Sequence, residues 1–311
     1  MRARLAALCL LLACLPGACK PDFGERESFV DRAQVLAVRI EPPEAKPGEP
    51  VTATLLVASP GGPIETPPAS WAFCATPKLL TENGSVSAAC LAAGAGGVVA
   101  IGDAPGGVSA VLPPSGCFDF GPETQSAEVR PRDADVTGGY FLPIRARVAA
   151  LSGAEPLTAF GFARLACNLP NAPADAVTAF RAQYKSNRSP VLRPIEAHLE
   201  GGAAPLALDQ VPRGAHVVFR AGWNAEDAET FALFDVASQT VVTRRESLRV
   251  SWFTTAGSFD RDRTGRTAEE PETFTENTWT APDDARAAQL WVVLRDARGG
   301  VAFTTLALTT R

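Results

Sequence analysis

Two histidines in 311 residues leave little material for a zinc site, which ordinarily takes three or four His, Cys or carboxylate ligands. The seven cysteines include no C-x-x-C pair, so the usual structural-metal and dithiol-redox spacings are missing. No G-x-S-x-G elbow, no H-E-x-x-H and no phosphate-cradling glycine loop occurs, which removes the commoner hydrolase, metalloprotease and nucleotide signatures. Lysine and arginine nowhere cluster with interleaved aromatics, and the net charge is −5. Nucleic acid is therefore not an expected partner, and a polybasic membrane-docking role is disfavoured. Beyond the leader there is no second long apolar run, so no spanning helix is expected.

What the chain does have begins at its N-terminus. Arg2 and Arg4 precede an apolar run over residues 5–15, followed by Gly17, Ala18 and Cys19. Those are the three parts of a secretory signal, and the run is too short to cross a bilayer as a helix. A small residue followed by cysteine resembles the lipobox of bacterial lipoproteins, in which that cysteine is acylated and becomes the first mature residue. The resemblance implies a signal peptide over 1–18, lipidation of Cys19 and a lipid-anchored tether over 19–34. Pro16 stands where leucine is usual, and Cys14 offers a competing site. Cleavage before Cys19 leaves it with Cys74, Cys90, Cys117 and Cys167, an even set beyond the anchor. Lys20 is not the aspartate that signals inner-membrane retention, which points to the outer membrane. Loss of Arg2 and Arg4 leaves 27 basic against 34 acidic side chains, a net charge of −7.

From Val35 the pattern becomes that of strands. Residues 35–40, 51–57, 70–74, 144–148 and 157–167 read as strands of an N-terminal β-sandwich spanning 35–170. Residues 91–115, rich in glycine, alanine and proline, read as a long surface loop with one embedded strand. The single convincing helix lies at 171–184, with Asn171 able to cap it and Val177, Phe180 and Tyr184 at helical spacing. A polar run to Pro190 closes this connector. In residues 191–311, the segments 216–223, 248–252, 290–294 and 301–310 again read as strands, giving a second sandwich. The segments SWFTTAGSFDRDRTG and NTWTAPDDARAAQLWVVLRDARGGVAF resemble the later strands of bacterial Ig-like and PKD-like modules, with a "TWTAP" turn and a final D-x-x-G-G hairpin. The stretch VLAVRIEPPEAKPGEPVTATLLVASP resembles the opening of lipoproteins of high-GC Gram-negative bacteria. The expected fold is all-β, two Ig-like antiparallel sandwiches in tandem joined by one short helix. Such modules serve many functions, so no activity comes with the resemblance.

Cys74, Cys90, Cys117 and Cys167 are expected to form two disulfides in an oxidising compartment. Three connectivities are open, and nearest-neighbour pairing favours Cys74 with Cys90 and Cys117 with Cys167. Asp260, Asp262 and Thr264, before Gly265, mimic the start of a calcium loop. Its twelfth position is Pro271 rather than glutamate, and Arg261 and Arg263 oppose a dication, so a solvated hairpin is the stronger expectation. Trp223, Trp252 and Trp279 could line a carbohydrate platform, but strand-face positions favour core packing. The sequence thus points to an outer-membrane lipoprotein acting as a binding or structural module rather than an enzyme. Its expected partners are the membrane, through its lipid, and an envelope protein or glycan. An accessory subunit of an envelope assembly and a calcium-dependent adhesin are the alternatives.

Overall fold

Among the stretches that are apolar at every position instead of every second one are Leu55-Leu56-Val57-Ala58 and Trp291-Val292-Val293-Leu294. Successive strand side chains point to opposite faces, so such a run suits a strand covered on both sides. All eight residues are buried, and those from Trp291 to Leu294 are fully so. They belong to the two middle layers of a four-layer β stack. The computed structural model describes residues 26–76, 85–92, 94, 96–119, 121, 138–151, 155–169 and 172–311. The leader, Cys14, Cys19 and Asn171 lie outside the described residues.

The N-terminal half forms β1 (Gln34–Glu41), β2 (Glu44–Ala45), β3 (Pro50–Ser59), β4 (Gly62–Ile64), β5 (Ala69–Cys74), helix α1 (Ala88–Leu91), β6 (Val98–Asp103), β7 (Gly107–Val111), helix α2 (Gly116–Asp119), β8 (Gly139–Val148) and β9 (Leu157–Ala166). One sheet runs β1-β3-β4 with β7 also on β3; the other runs β2-β9-β8-β5-β6. Between them lie Val38, Ile40, Leu55, Trp71, Ile144 and Leu165 with their neighbours. Pro143 sits inside β8 without losing a ladder bond to β5, because that pairing stops at Ile144. The stretch read as a loop with one strand holds two, β6 and β7. Both are edge strands with half-exposed faces, so neither shows a clean alternation in sequence.

Helix α3 (Ala174–Gln183) follows, then β10 (Glu196–Leu199), β11 (His216–Gly222), β12 (Thr230–Asp235), β13 (Thr240–Arg245), β14 (Leu248–Thr254), β15 (Ser258–Phe259), β16 (Arg263–Arg266), β17 (Phe274–Thr280), β18 (Ala287–Arg295) and β19 (Val301–Thr309). Sheets β10-β11-β17-β15 and β16-β14-β18-β19 enclose the second core, built on Phe219, Trp223, Trp252, Phe259 and Trp279. The TWTAP segment is the end of β17, with the chain turning after it. Asp296 to Gly300 makes the β18–β19 hairpin, as the D-x-x-G-G pattern implies: Asp296 accepts from the Arg298 and Gly300 amides. The N-cap position of α3 is Pro173, with no side-chain cap. The helix packs Ala176 and Phe180 on Ala232 and Phe234 of the β12–β13 hairpin.

The two sandwiches, consecutive in sequence, meet face to face. Leu36, Ala37, Leu56 and Ala58 on the outer side of β1 and β3 pack against Trp291, Val293 and Val301 of β18 and β19. A β-bulge near Leu36 turns both Leu36 and Ala37 toward that layer. Part of the segment read as a free tether is also docked. Phe29 bridges to Thr254, Val30 donates its N–H to the Thr254 carbonyl at 2.8 Å, and Val30 is buried in the middle layer. One buried apolar side chain, a single bridge and polar contacts of Arg26, Glu27 and Ser28 hold this segment, none of which leaves a periodic signature in a polar stretch.

Candidate functional site

The calcium-loop residues do not converge. Asp260 and Asp262 flank the turn between β15 and β16, where the Asp260 amide and the Asp262 carbonyl join neighbouring strands. Thr264 lies in β16, and its hydroxyl accepts a hydrogen bond from the Trp252 indole at 2.9 Å. Asn277 clips the loop instead, its side chain donating to the Arg261 carbonyl at 2.7 Å. Glu270 is committed to the Thr267 amide and to Arg266. Among the described residues, no group of three or more His, Cys, Asp or Glu side chains is placed to hold a metal ion. His216 sits exposed at the start of β11, its ring 3.2 Å from the Thr280 hydroxyl. Trp223, Trp252 and Trp279 are at most 1% exposed, so none forms a carbohydrate platform.

The cysteines pair as Cys74–Cys90 and Cys117–Cys167, each with Cα atoms 5.6 Å apart. Each bridge ties a four-residue helix, too short to hold itself, to the edge or end of the five-stranded sheet.

The densest polar chemistry lies at the junction of the two sandwiches. The parallel pairing of β2 with β9 sets Glu44 opposite Arg164, and the two buried side chains meet at 2.8 Å. Tyr184, just past α3, donates its hydroxyl to the same carboxylate at 2.7 Å, and the Asn187 amide adds a bond of 2.8 Å. From the other sandwich, Arg298 at the tip of the β18–β19 hairpin reaches in. It bonds Glu246 and Glu229 at 2.6 Å each and the Lys185 carbonyl at 2.9 Å, and comes within 3.9 Å of Glu44. Its guanidinium also covers the Phe231 ring at 4.7 Å. Gly139 has no room for a side chain, because a Cβ there would fall within the Arg164 guanidinium.

Burial and like charge perturb these groups. Desolvation, reinforced by Asp296 and offset in part by Arg298, pushes the Glu246 carboxyl up to about 7. Its Oε2 has no hydrogen-bond partner. Burial likewise raises Asp296 and Tyr184, the latter with Glu44 adding to the effect. Burial opposes the charge on Arg298, but Glu246 and its other anionic neighbours outweigh it and hold the guanidinium charged. The arrangement is a lock: the three guanidinium nitrogens of Arg298, the Tyr184 hydroxyl and the Asn187 amide each donate to a fixed acceptor, and this cluster and the apolar middle layer join the two sandwiches.

Only one end of the lock left a trace in the sequence. Arg164 interrupts an apolar strand, and a charge there implies a buried partner. Arg298, in Asp-Ala-Arg-Gly-Gly, has the context of a solvated turn. Among the described residues, no helix is long and apolar enough to cross a membrane.

No protein-family model matches the chain, and no curated protein does. Among solved structures it is similar to the D00-D0 domain of intimin, at 9% identity and TM-score 0.25, over 88% of this chain and all of that one. It is also similar to the Yersinia pseudotuberculosis adhesin InvE, at 9% identity and TM-score 0.23, over 92% of this chain and 61% of that one. For the E. coli alpha-2-macroglobulin the values are 12% and 0.23, over 91% of this chain and 16% of that one. Such low superposition scores do not place the chain in a family.

Proposed function

We propose that the chain is a lipid-anchored protein of the bacterial outer membrane that serves as a rigid binding or structural module without catalytic activity. One observation carries this reading: between the sandwiches, where a two-domain enzyme commonly has its cleft, an apolar layer and a locked ionic cluster join the two bodies, leaving an open groove beside β1 and β16. A rigid body on a short tether suits display or scaffolding. An accessory-subunit role needs an apolar surface: Leu91, Val99, Val111 and Phe118 of the N-terminal sandwich are 53–58% exposed, as are Val191 and Val236 elsewhere. Crosslinking in intact cells carrying the tagged protein, with Cys19→Ser as the unanchored control, tests both. A stoichiometric envelope protein lost on replacing Val99 and Val111 by serine supports the subunit role. Palmitate labelling that is absent, or unchanged by Cys19→Ser, would overturn the anchor.

A further inference from the structure

The sequence has no basic run, yet the fold gathers five arginines at one edge of the middle layers. Arg249 of β14 stands directly opposite Arg295 of β18. Arg263 of β16 stands opposite Ser251, two residues along β14 from Arg249 and therefore on the same face. Arg295 donates to the Leu36 carbonyl at 2.8 Å, and Arg263 pairs with Glu27 at 2.6 Å. Arg249 is exposed, with no partner among the described residues. Burial, and then the like charges of Arg263 and Arg249, hold the Arg295 guanidinium below its usual range, as expected where positive groups crowd without enough counter-charge. Arg26 and Arg32 line the adjoining groove of about 330 Å³, together with Glu27, Asp31, Phe29 and Phe253. The groove thus holds three arginines against two carboxylates, and Arg295 and Arg249 adjoin Arg263 and add positive charge, a local excess on a chain that is acidic as a whole.

The position of this edge matters as much as its charge. Arg26 is only seven residues from Cys19, and an extended chain spans at most about 3.5 Å per residue, so the near side of the patch, at Arg26, lies within about 25 Å of that cysteine. We propose that Arg249, Arg263 and Arg295, with Arg26 and Arg32, form a docking face for the headgroups of anionic phospholipids. The proposal rests on the reading of Cys19 as the anchor, which supplies the membrane at that distance. Guanidinium groups suit phosphate oxygens through paired N–H donors, and docking would lay this edge of the stack on the bilayer.

The test uses the mature chain with Cys19→Ser, so that no acyl group contributes, and co-sedimentation with vesicles. Phosphatidylcholine vesicles are compared with vesicles holding about 30% phosphatidylglycerol, at about 50 and 300 mM salt, where the screening length roughly halves. Binding is expected to the anionic vesicles only and to weaken with salt. The exposed pair Arg249→Glu and Arg263→Glu is expected to lose at least about 25-fold, roughly fivefold for each arginine removed from the surface. The variant's melting temperature, read in parallel, identifies a folding defect; Arg249→Gln with Arg263→Gln, which adds no like charge beside Glu27, then supplies the same comparison. Equal binding to both vesicle types, or wild-type binding by both double variants, would overturn the docking face. Complete displacement by millimolar inorganic phosphate would also overturn it, by assigning the arginines to a soluble anion. Palmitate labelling of the wild-type chain, read separately, reports whether Cys19 is acylated, so failure of the anchor is distinguishable from failure of the docking face.

Discussion

Replacing Arg298 by methionine removes the cation that three acidic residues share while keeping most of the side-chain volume. Glu246 would then be a fully buried carboxylate without its partner at 2.6 Å, whereas Glu229 would keep Arg188 at 2.8 Å. At 4 Å and an effective dielectric constant of about 20, such a pair attracts by about 4 kcal/mol. Removing one partner of a buried pair typically costs about 3–5 kcal/mol. At about 2–4 °C per kcal/mol, the melting temperature should fall by roughly 10 °C. The loss should be larger at pH 8 than at pH 5, because Glu246 can take up a proton at the lower pH and shed its uncompensated charge. Adding Glu246→Gln to the Arg298→Met chain should recover about half of the loss, since the stranded charge is then gone. Calorimetry at the two pH values measures all of this. A fall of under about 1 kcal/mol for Arg298→Met, or an equal loss at both pH values, would refute the argument that this guanidinium neutralises the junction.

Further outcomes follow from the same cluster and from the bridges. The folded Glu246 carboxyl, near 7 against an ordinary 4.5, retains its proton where the unfolded chain has lost it. Its contribution is therefore fully present below pH 4.5 and is lost as pH rises to about 7, by about 3 kcal/mol at most; Glu246→Gln should flatten that part of a stability-against-pH curve, with Asp296 leaving a residual slope of the same sign. Gly139→Ala should displace Arg164 from Glu44 and cost at least about 2 kcal/mol in a denaturant titration. Reducing both disulfides should destabilise the N-terminal sandwich by about 3–4 kcal/mol per bridge, from the lengths of the loops they close. Calcium at about 1 mM should leave the melting temperature unchanged, and a rise that Asp262→Ala abolishes would restore the calcium-adhesin reading.

The strands were legible where one face meets a core and the other meets water. Val217, Phe219 and Ala221 alternate along β11 and face the second core as their period requires. The disulfide pairing was also legible, since sequence neighbours lie on adjacent elements. The face-to-face stacking was not. An all-apolar run such as Trp291 to Leu294 says that both faces are covered, but it does not name the cover, and the cover lies some 240 residues away in Leu36 and Leu56. Most of the ionic lock was hidden for the same reason: Glu44, Glu246 and Arg298 are ordinary charges locally, and they meet Arg164, whose apolar strand alone gave a hint, only after both sandwiches have formed. The β12–β13 hairpin gave little signal because β12 packs mainly on α3, and β13 is half exposed.

Small-angle X-ray scattering from the soluble Cys19→Ser chain tests most directly the claim that the two sandwiches form one locked four-layer body. A single compact particle of this size has a radius of gyration of about 19 Å, with one peak in its pair-distance distribution. Two sandwiches joined end to end by a flexible connector would instead give about 25 Å and a second, longer-distance shoulder, and that result would contradict the account.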